Sequence, residues 1–183
     1  MLYIMRHGRT DWNNLRKLQG KTDIPLNEEG RQMAREASVK CREIHLDVCY
    51  CSPLSRARET AQIVLENREV PIIPDERLEE MGFGIYEGVA NAGRQPDSPM
   101  RVFFQQPENY IPGEGGETFE ELFARTGAFL REMVYPKMDE GQDILIVGHG
   151  AMNASIICQV RKLSLEHYWD EGLQNCKLIP LIP

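Results

Sequence analysis

The segment LYIMRHG, residues 2–8, decides the fold. Leu2 to Met5 has the apolar character of a buried strand, and Arg6-His7-Gly8 ends it with a cation, an imidazole and a glycine turn. In open α/β sheets the carboxyl ends of the strands form the rim where ligands bind. Residues 143–150, DILIVGHG, repeat the arrangement: Asp143 to Val147 is the most apolar strand in the chain, and Gly148-His149-Gly150 follows it. One His-Gly after a strand is an ordinary turn. Two of them, each after a strand apolar enough to be central, would set two imidazoles side by side on one rim.

The segments between these strands alternate helix and strand. Asn27 is placed as an N-cap with Glu28 and Glu29 in the first turn, and Met33, Ala37, Cys41 and Ile44 recur at helical spacing. Asp47 to Cys51 reads as a second short strand, and a helix is expected from about Leu54 to Glu66. Val70 to Ile73 is a third strand, placed near an edge by Pro71 and Pro74. From Val89 to Gly116 the pattern weakens and glycine, proline and polar residues punctuate it. That stretch reads as an excursion from the core, with Phe103, Phe104 and Tyr110 either anchoring it or lining a pocket; anchoring is expected of at least two. Thr118-Phe119-Glu120-Glu121 is a capping-box pattern opening a helix to about Val134, ending before Pro136. A helix through Val160 and a last strand, Cys176 to Ile179, complete the chain. Alternating strands and helices imply an α/β fold in one domain, residues 1–183: a mostly parallel central sheet with helices on both faces, a three-layer sandwich.

Composition narrows the function. The 183 residues carry a net charge of −7, which argues against a nucleic-acid binder. No apolar run is long enough for a membrane span, and the N-terminus lacks the features of a signal peptide, so the expected location is the cytoplasm. The five cysteines sit within apolar segments and read as reduced core thiols; Cys49-Tyr50-Cys51 lacks the second pair a zinc site needs. An acidic chain suits an anionic substrate only if positive charge is gathered locally. Arg6 and His7, Ser55-Arg56-Ala57-Arg58 after the second strand, and His149 would gather it at one rim, in a pocket suited to phosphate.

These residues, taken in order, resemble the histidine phosphatase superfamily, also called phosphoglycerate-mutase-like. Arg6-His7-Gly8-Arg9-Thr10-Asp11-Trp12-Asn13 is similar to its signature. Gln19-Gly20, Asp23-Ile24-Pro25-Leu26 and Gly30 are similar to the segment that follows. Ser52-Pro53-Leu54-Ser55-Arg56-Ala57 resembles its second arginine motif, and Leu78-Glu79-Glu80-Met81-Gly82-Phe83-Gly84 with Glu87-Gly88 its acid motif. Gly115-Gly116-Glu117-Thr118 with Arg125 resembles the helix start of its phosphatase branch, and Val147-Gly148-His149-Gly150 its second histidine. The departure is Arg9, where the family usually carries Glu or Gln; it could add charge at the pocket mouth.

The resemblance implies a phosphomonoester hydrolase acting on a small phosphorylated metabolite without metal or cofactor. His7 would be the nucleophile, oriented by a backbone carbonyl. Arg6, Arg56 and His149, the last as a cation beside phosphate, would hold the transferring group. Glu80 would be the acid; Glu79 adjoins it, and register alone favours Glu80, as the Arg-Ala dipeptide favours Arg56 over Arg58. Asn13, Gln19, Gly20, Thr22 and Gly150 would contact substrate. Phosphoglycerate mutase is the alternative, and an inactive phospho-ligand binding module a weaker one. The short excursion and the Gly-Gly-Glu-Thr start favour the hydrolase. Apolar residues in the excursion are compatible with a homodimer.

Overall fold

The computed structural model describes residues 1–182. A five-stranded sheet runs through it in the order β3-β2-β4-β1-β5. The strands are β1 (Leu2–Arg6), β2 (Val48–Cys51), β3 (Ile72–Pro74), β4 (Ile144–Gly148) and β5 (Leu178–Ile182). The pairs β1/β4, β4/β2 and β2/β3 are parallel, and β5 alone runs antiparallel, against β1. The mostly parallel α/β sheet read from the sequence is therefore present, with β4 at its centre and the proline-bounded β3 at an edge. The helices are α1 (Asp11–Asn14), α2 (Glu28–Cys41), α3 (Ser55–Val64), α4 (Pro99–Gln105), α5 (Phe119–Phe129), α6 (Tyr135–Asp139) and α7 (Gly150–Arg161).

Period-two alternation along the strands divides the core into two layers. Tyr3, Met5, Cys49, Cys51, Leu145 and Val147 face α2 and α3; Leu2, Ile4, Tyr50, Ile144 and Ile146 face α5 and α7. The buried face of α2 is Gly30, Ala34, Ala37, Ser38 and Cys41, smaller than the face expected from Met33 and Ile44. Small side chains let α2 lie close to Ala57 and Ala61 of α3. Asn27 caps α2 by accepting from the Gly30 amide at 2.9 Å. Cys41, Cys49, Cys51 and Cys158 are buried free thiols, and burial raises the pKa of each. Among the described residues no helix is long and apolar enough to cross a membrane.

Three boundaries differ from expectation; the third strand, expected at Val70–Ile73, spans Ile72–Pro74. The helix from Phe119 does not stop before Pro136: a π turn, Leu130–Val134, leads straight into α6. The wider turn shifts the register, so Pro136 falls in the first turn of a new α-helical segment, where its missing N–H leaves no bond unmade. The last strand begins at Leu178 and not at Cys176, because Cys176 takes a left-handed conformation (φ 56°) and forms the turn into it. Within the excursion, Ser98 caps α4 by accepting from the Met100 amide at 3.2 Å. Phe103 is fully buried against Phe83, Tyr110 and Phe119, with ring centroids 5.3, 4.9 and 5.6 Å away. Phe103 and Tyr110 thus anchor the segment, while Phe104 stays 44 % exposed.

Candidate active site

The register of the two central strands builds the site. Arg6 pairs with Gly148 across β1 and β4, so the chain positions that follow, His7 and His149, emerge together at the carboxyl rim. Their ring centroids lie 5.1 Å apart at 60°. A glycine is required after His7 because the chain there crosses α2 at backbone distance: a Cβ on Gly8 would lie 2.5 Å from the Gly30 carbonyl oxygen. The Gly8 amide donates to Thr60 Oγ1 of α3 at 3.0 Å, and Asn175 Nδ2 donates to the His7 carbonyl at 2.7 Å. His7 Nδ1 lies 2.6 Å from the Gly8 carbonyl oxygen, a partner that can only accept. Nδ1 therefore carries the proton, and Nε2 is left with its lone pair.

Arg56, at the start of α3, is completely buried without a hydrogen-bonded carboxylate. Its Nη2 donates to Gly20 O at 2.7 Å, its Nη1 to Thr22 O at 2.9 Å, and its Nε to His149 Nδ1 at 3.2 Å. The last bond fixes the proton of a neutral His149 on Nε2, which is buried with no partner. Arg6 donates from Nη1 to Leu173 O at 3.1 Å, and its Nε is likewise buried and unpaired. Burial lowers Arg6 and brings Arg56 down to about 10, so both remain cationic near neutrality. A buried cation, Arg56, a half-buried one, Arg6, and two buried donor atoms without acceptors suit an anion.

Glu80 closes the pocket from the other side. Its Oε1 accepts from the amides of Met81 and Met152, both at 2.9 Å, and its Oε2 from Ala151 at 3.2 Å. The carboxylate thus sits at the N-terminus of α7, where amide donors converge. Glu79 points away, toward Lys21 at 3.7 Å, and Arg58 is exposed on α3.

The resulting cavity, about 120 Å³, is lined by Arg6, His7, Arg56 and Glu80 together with Asn13, Gln19, Gly20 and Gly150. Gln19 accepts from Thr10 Oγ1 at 3.0 Å, and Gly20 needs its glycine for φ +54°. Thr22 differs from its sequence-based placement as a substrate contact: it is not on the cavity wall. Its hydroxyl and amide bind Glu87 Oε2, at 2.5 and 3.0 Å, and its carbonyl holds Arg56. Nor does Arg9 supply free charge at the mouth, since it pairs with Glu29 at 2.5 Å. The expected cationic His149 is also modified: burial first, then Arg56, holds its pKa well below the usual value.

Several wall residues were not found by sequence reasoning. Trp169, Lys17, Leu18, Phe83 and Ala151 line the cavity, and Leu173 and Asn175 brace Arg6 and His7 from behind. Glu87 and Arg125 act one step further out. Glu87 gathers the amides of Lys21, Thr22 and Phe83, tying the Gly20–Thr22 loop to the acid segment. Arg125 donates to the carbonyls of Arg77, Glu79 and Glu80 at 2.6, 2.9 and 3.2 Å and is held by Glu117 at 2.6 Å. Arg125→Met is expected to cost about 3 kcal/mol, because it strands a largely buried carboxylate and three carbonyls. Thermal unfolding should then shift down by roughly 10 °C; an unchanged midpoint would remove Arg125 from this role.

The histidines also set a pH dependence. Burial, then Arg56 and Arg6, hold His7 well below the usual 6.5, as burial and Arg56 do His149. Below that value the unfolded chain binds protons that the folded one refuses. Stability should therefore fall as pH drops from about 6.5 toward the depressed values, by at most about 1.4 kcal/mol per pH unit for each histidine. Unfolding midpoints measured between pH 8 and 5 check the sign; a midpoint that rises on acidification contradicts it.

Comparison with known proteins agrees with this geometry. The family model of the histidine phosphatase superfamily (branch 1) matches residues 2–182. The chain is 35% identical over 178 residues to a protein of Bacillus subtilis named uncharacterized phosphatase PhoE, covering 96% of this chain and 82% of that one. It is 33% identical over 172 residues to a 2,3-bisphosphoglycerate-dependent phosphoglycerate mutase of Parvibaculum lavamentivorans, covering 91% and 82%. The solved structure of YhfR from Bacillus stearothermophilus superposes with a TM-score of 0.86 at 34% identity, over 97% of this chain and 88% of that one. A family match along nearly the whole described chain, around a rim where two imidazoles and two arginines meet, makes this protein a member of the histidine phosphatase superfamily.

Proposed function

We propose that the protein hydrolyses small phosphomonoesters through a phosphohistidine on His7, without a metal ion. One observation carries the reading: His7, with its Nε2 lone pair free, lines a cavity together with the cations Arg6 and Arg56, and the neighbouring His149 has a buried Nε2 without a partner. In the first step Nε2 attacks phosphorus and the ester oxygen leaves, taking a proton from Glu80. In the second, water gives a proton to Glu80 and attacks phosphorus, the phosphorus–nitrogen bond breaks, and inorganic phosphate departs. Glu80 Oε2 makes only the longer 3.2 Å bond, which leaves a lone pair for that proton. Arg6, Arg56 and His149 Nε2–H hold the three equatorial oxygens, placing positive charge where other phosphatases use metals. Asn13, Gln19 and Gly150 line the substrate's path, and Gly20 and Thr22 serve by fixing Arg56.

Transfer of the phosphoryl group to a second oxygen of the same substrate is the other reading, favoured by the relative named as a mutase. The short excursion, with one seven-residue helix over the site, supports hydrolysis, because a mutase must keep water from the phosphohistidine. Incubation with 3-phosphoglycerate and a chelator separates the two. Release of inorganic phosphate supports the hydrolase; an isomeric phosphoglycerate without release supports the mutase; loss of all turnover on chelation overturns metal independence.

A further inference from the structure

The bond that readies His7 hangs on a backbone with little stiffness of its own. The acceptor of its Nδ1 proton is the Gly8 carbonyl, and position 8 must be glycine because a Cβ there would meet the Gly30 carbonyl oxygen at 2.5 Å. Glycine has the widest choice of φ and ψ, so the local sequence does not hold the peptides on either side of Gly8 in one orientation. An imidazole whose acceptor turns away loses its preference for the proton on Nδ1, and with it the free lone pair on Nε2.

Two side chains from distant segments supply the missing constraint. The peptide unit between His7 and Gly8 carries one acceptor, the His7 carbonyl, and one donor, the Gly8 amide. Asn175 Nδ2 donates to that carbonyl at 2.7 Å, across 168 residues of sequence, and Thr60 Oγ1 accepts from that amide at 3.0 Å, across 52. Both directions are determined. A carbonyl only accepts, so the Asn175 amino group faces it. The Thr60 hydroxyl proton goes to Arg56 O at 2.6 Å, which leaves an oxygen lone pair for the Gly8 amide. Thr60 is completely buried, so water does not replace it there. The next residue of the C-terminal turn acts alongside Asn175, the Cys176 amide donating to Arg6 O at 2.9 Å. Neither Thr60 nor Asn175 lines the catalytic cavity. Their route to the chemistry is through His7.

We infer that Thr60 and Asn175 are positioning residues for the nucleophile. They pin both polar groups of the His7–Gly8 peptide, and so keep the Gly8 carbonyl on His7 Nδ1. The inference rests on the phosphohistidine reading of the cavity.

Proton placement and turnover are read separately. Protein labelled with nitrogen-15 in histidine is compared above neutral pH as the parent, Thr60→Val, Thr60→Ser and Asn175→Ala, the His7 signals being those that vanish in His7→Ala. The parent and Thr60→Ser are expected to carry the His7 proton on Nδ1. Thr60→Val, close in shape but without the hydroxyl, and Asn175→Ala should each shift a measurable share of it to Nε2. Both should lower kcat for a hydrolysed phosphomonoester by about tenfold or more, because small misplacements of reacting groups are costly. KM should stay within about twofold, since no cavity contact is removed. Thr60→Ser should recover most of the lost kcat. Assays well below each variant's unfolding midpoint keep lost stability out of the comparison. A variant with the parent's proton placement and kcat removes that residue from the role. A loss that Thr60→Ser shares with Thr60→Val, or a change confined to KM, overturns the inference. Failure of the hydrolase reading would appear elsewhere, as absence of phosphate release by the parent, with the proton placement still measurable.

Discussion

His7→Ala should lower kcat/KM for phosphomonoester hydrolysis by at least about a thousandfold, because the phosphoenzyme route is lost and only binding and charge stabilisation remain. The size of the loss follows from how the imidazole is prepared. Burial keeps it neutral, and the Gly8 carbonyl holds the proton on Nδ1, so Nε2 is nucleophilic without any further base. The same preparation fixes the pH dependence. A base that titrates well below 6.5 should keep kcat/KM on the free enzyme level as pH falls through 6.5, with the acid limb only beyond. The variant should also lose part of the acid sensitivity of its stability, since one of two buried imidazoles is gone. Steady-state assays and unfolding midpoints from pH 5 to 8 check both; residual activity within tenfold of the parent would remove His7 as the nucleophile.

Arg56→Lys is expected to cost about a hundredfold or more in kcat, although it keeps the charge. The guanidinium acts as a hub: its three nitrogens hold Gly20 O, Thr22 O and His149 Nδ1, and the side chain lines the cavity. A lysine ammonium offers three donors from one atom and cannot span those positions. At least one carbonyl, or the imidazole nitrogen, would be left buried and unpaired, at about 1–3 kcal/mol. The loss has a second signature. An anion that binds only the folded protein raises its midpoint by mass action, so inorganic phosphate should stabilise the parent and stabilise Arg56→Lys much less. A variant with the parent's kcat, or with an undiminished phosphate shift, would show that Arg56 is not the centre of the anion pocket.

The parts of the molecule legible in the sequence are those carried by short, contiguous patterns. LYIMRHG and DILIVGHG each state a strand and a functional group in one run, and adjacency of β1 and β4 then places His7 beside His149. The prolines around residues 71–74 disclosed the edge strand. The rest depended on contacts between distant segments. Thr22 reads as a polar substrate contact until Glu87, 65 residues away, is seen to occupy its hydroxyl. Arg125 works through backbone carbonyls, which leave no trace in residue type. Trp169, Leu173 and Asn175 come from an irregular stretch without helical or strand period, where only the aromatic pair Tyr168-Trp169 among charged residues hints at burial. The π turn before Pro136 leaves no mark in the sequence: proline there signals a stop, whereas a register shift lets the helix pass it.

The most direct measurement is rapid acid-free quenching during turnover of 3-phosphoglycerate or another hydrolysed ester, followed by mass spectrometry of the His7 peptide. A phosphoryl group on His7, formed and discharged at rates matching kcat, is the expected result, with proton–phosphorus coupling assigning it to Nε2. Steady turnover with His7 unmodified, or with the phosphoryl group on another residue, would contradict the nucleophilic role on which the proposed mechanism stands.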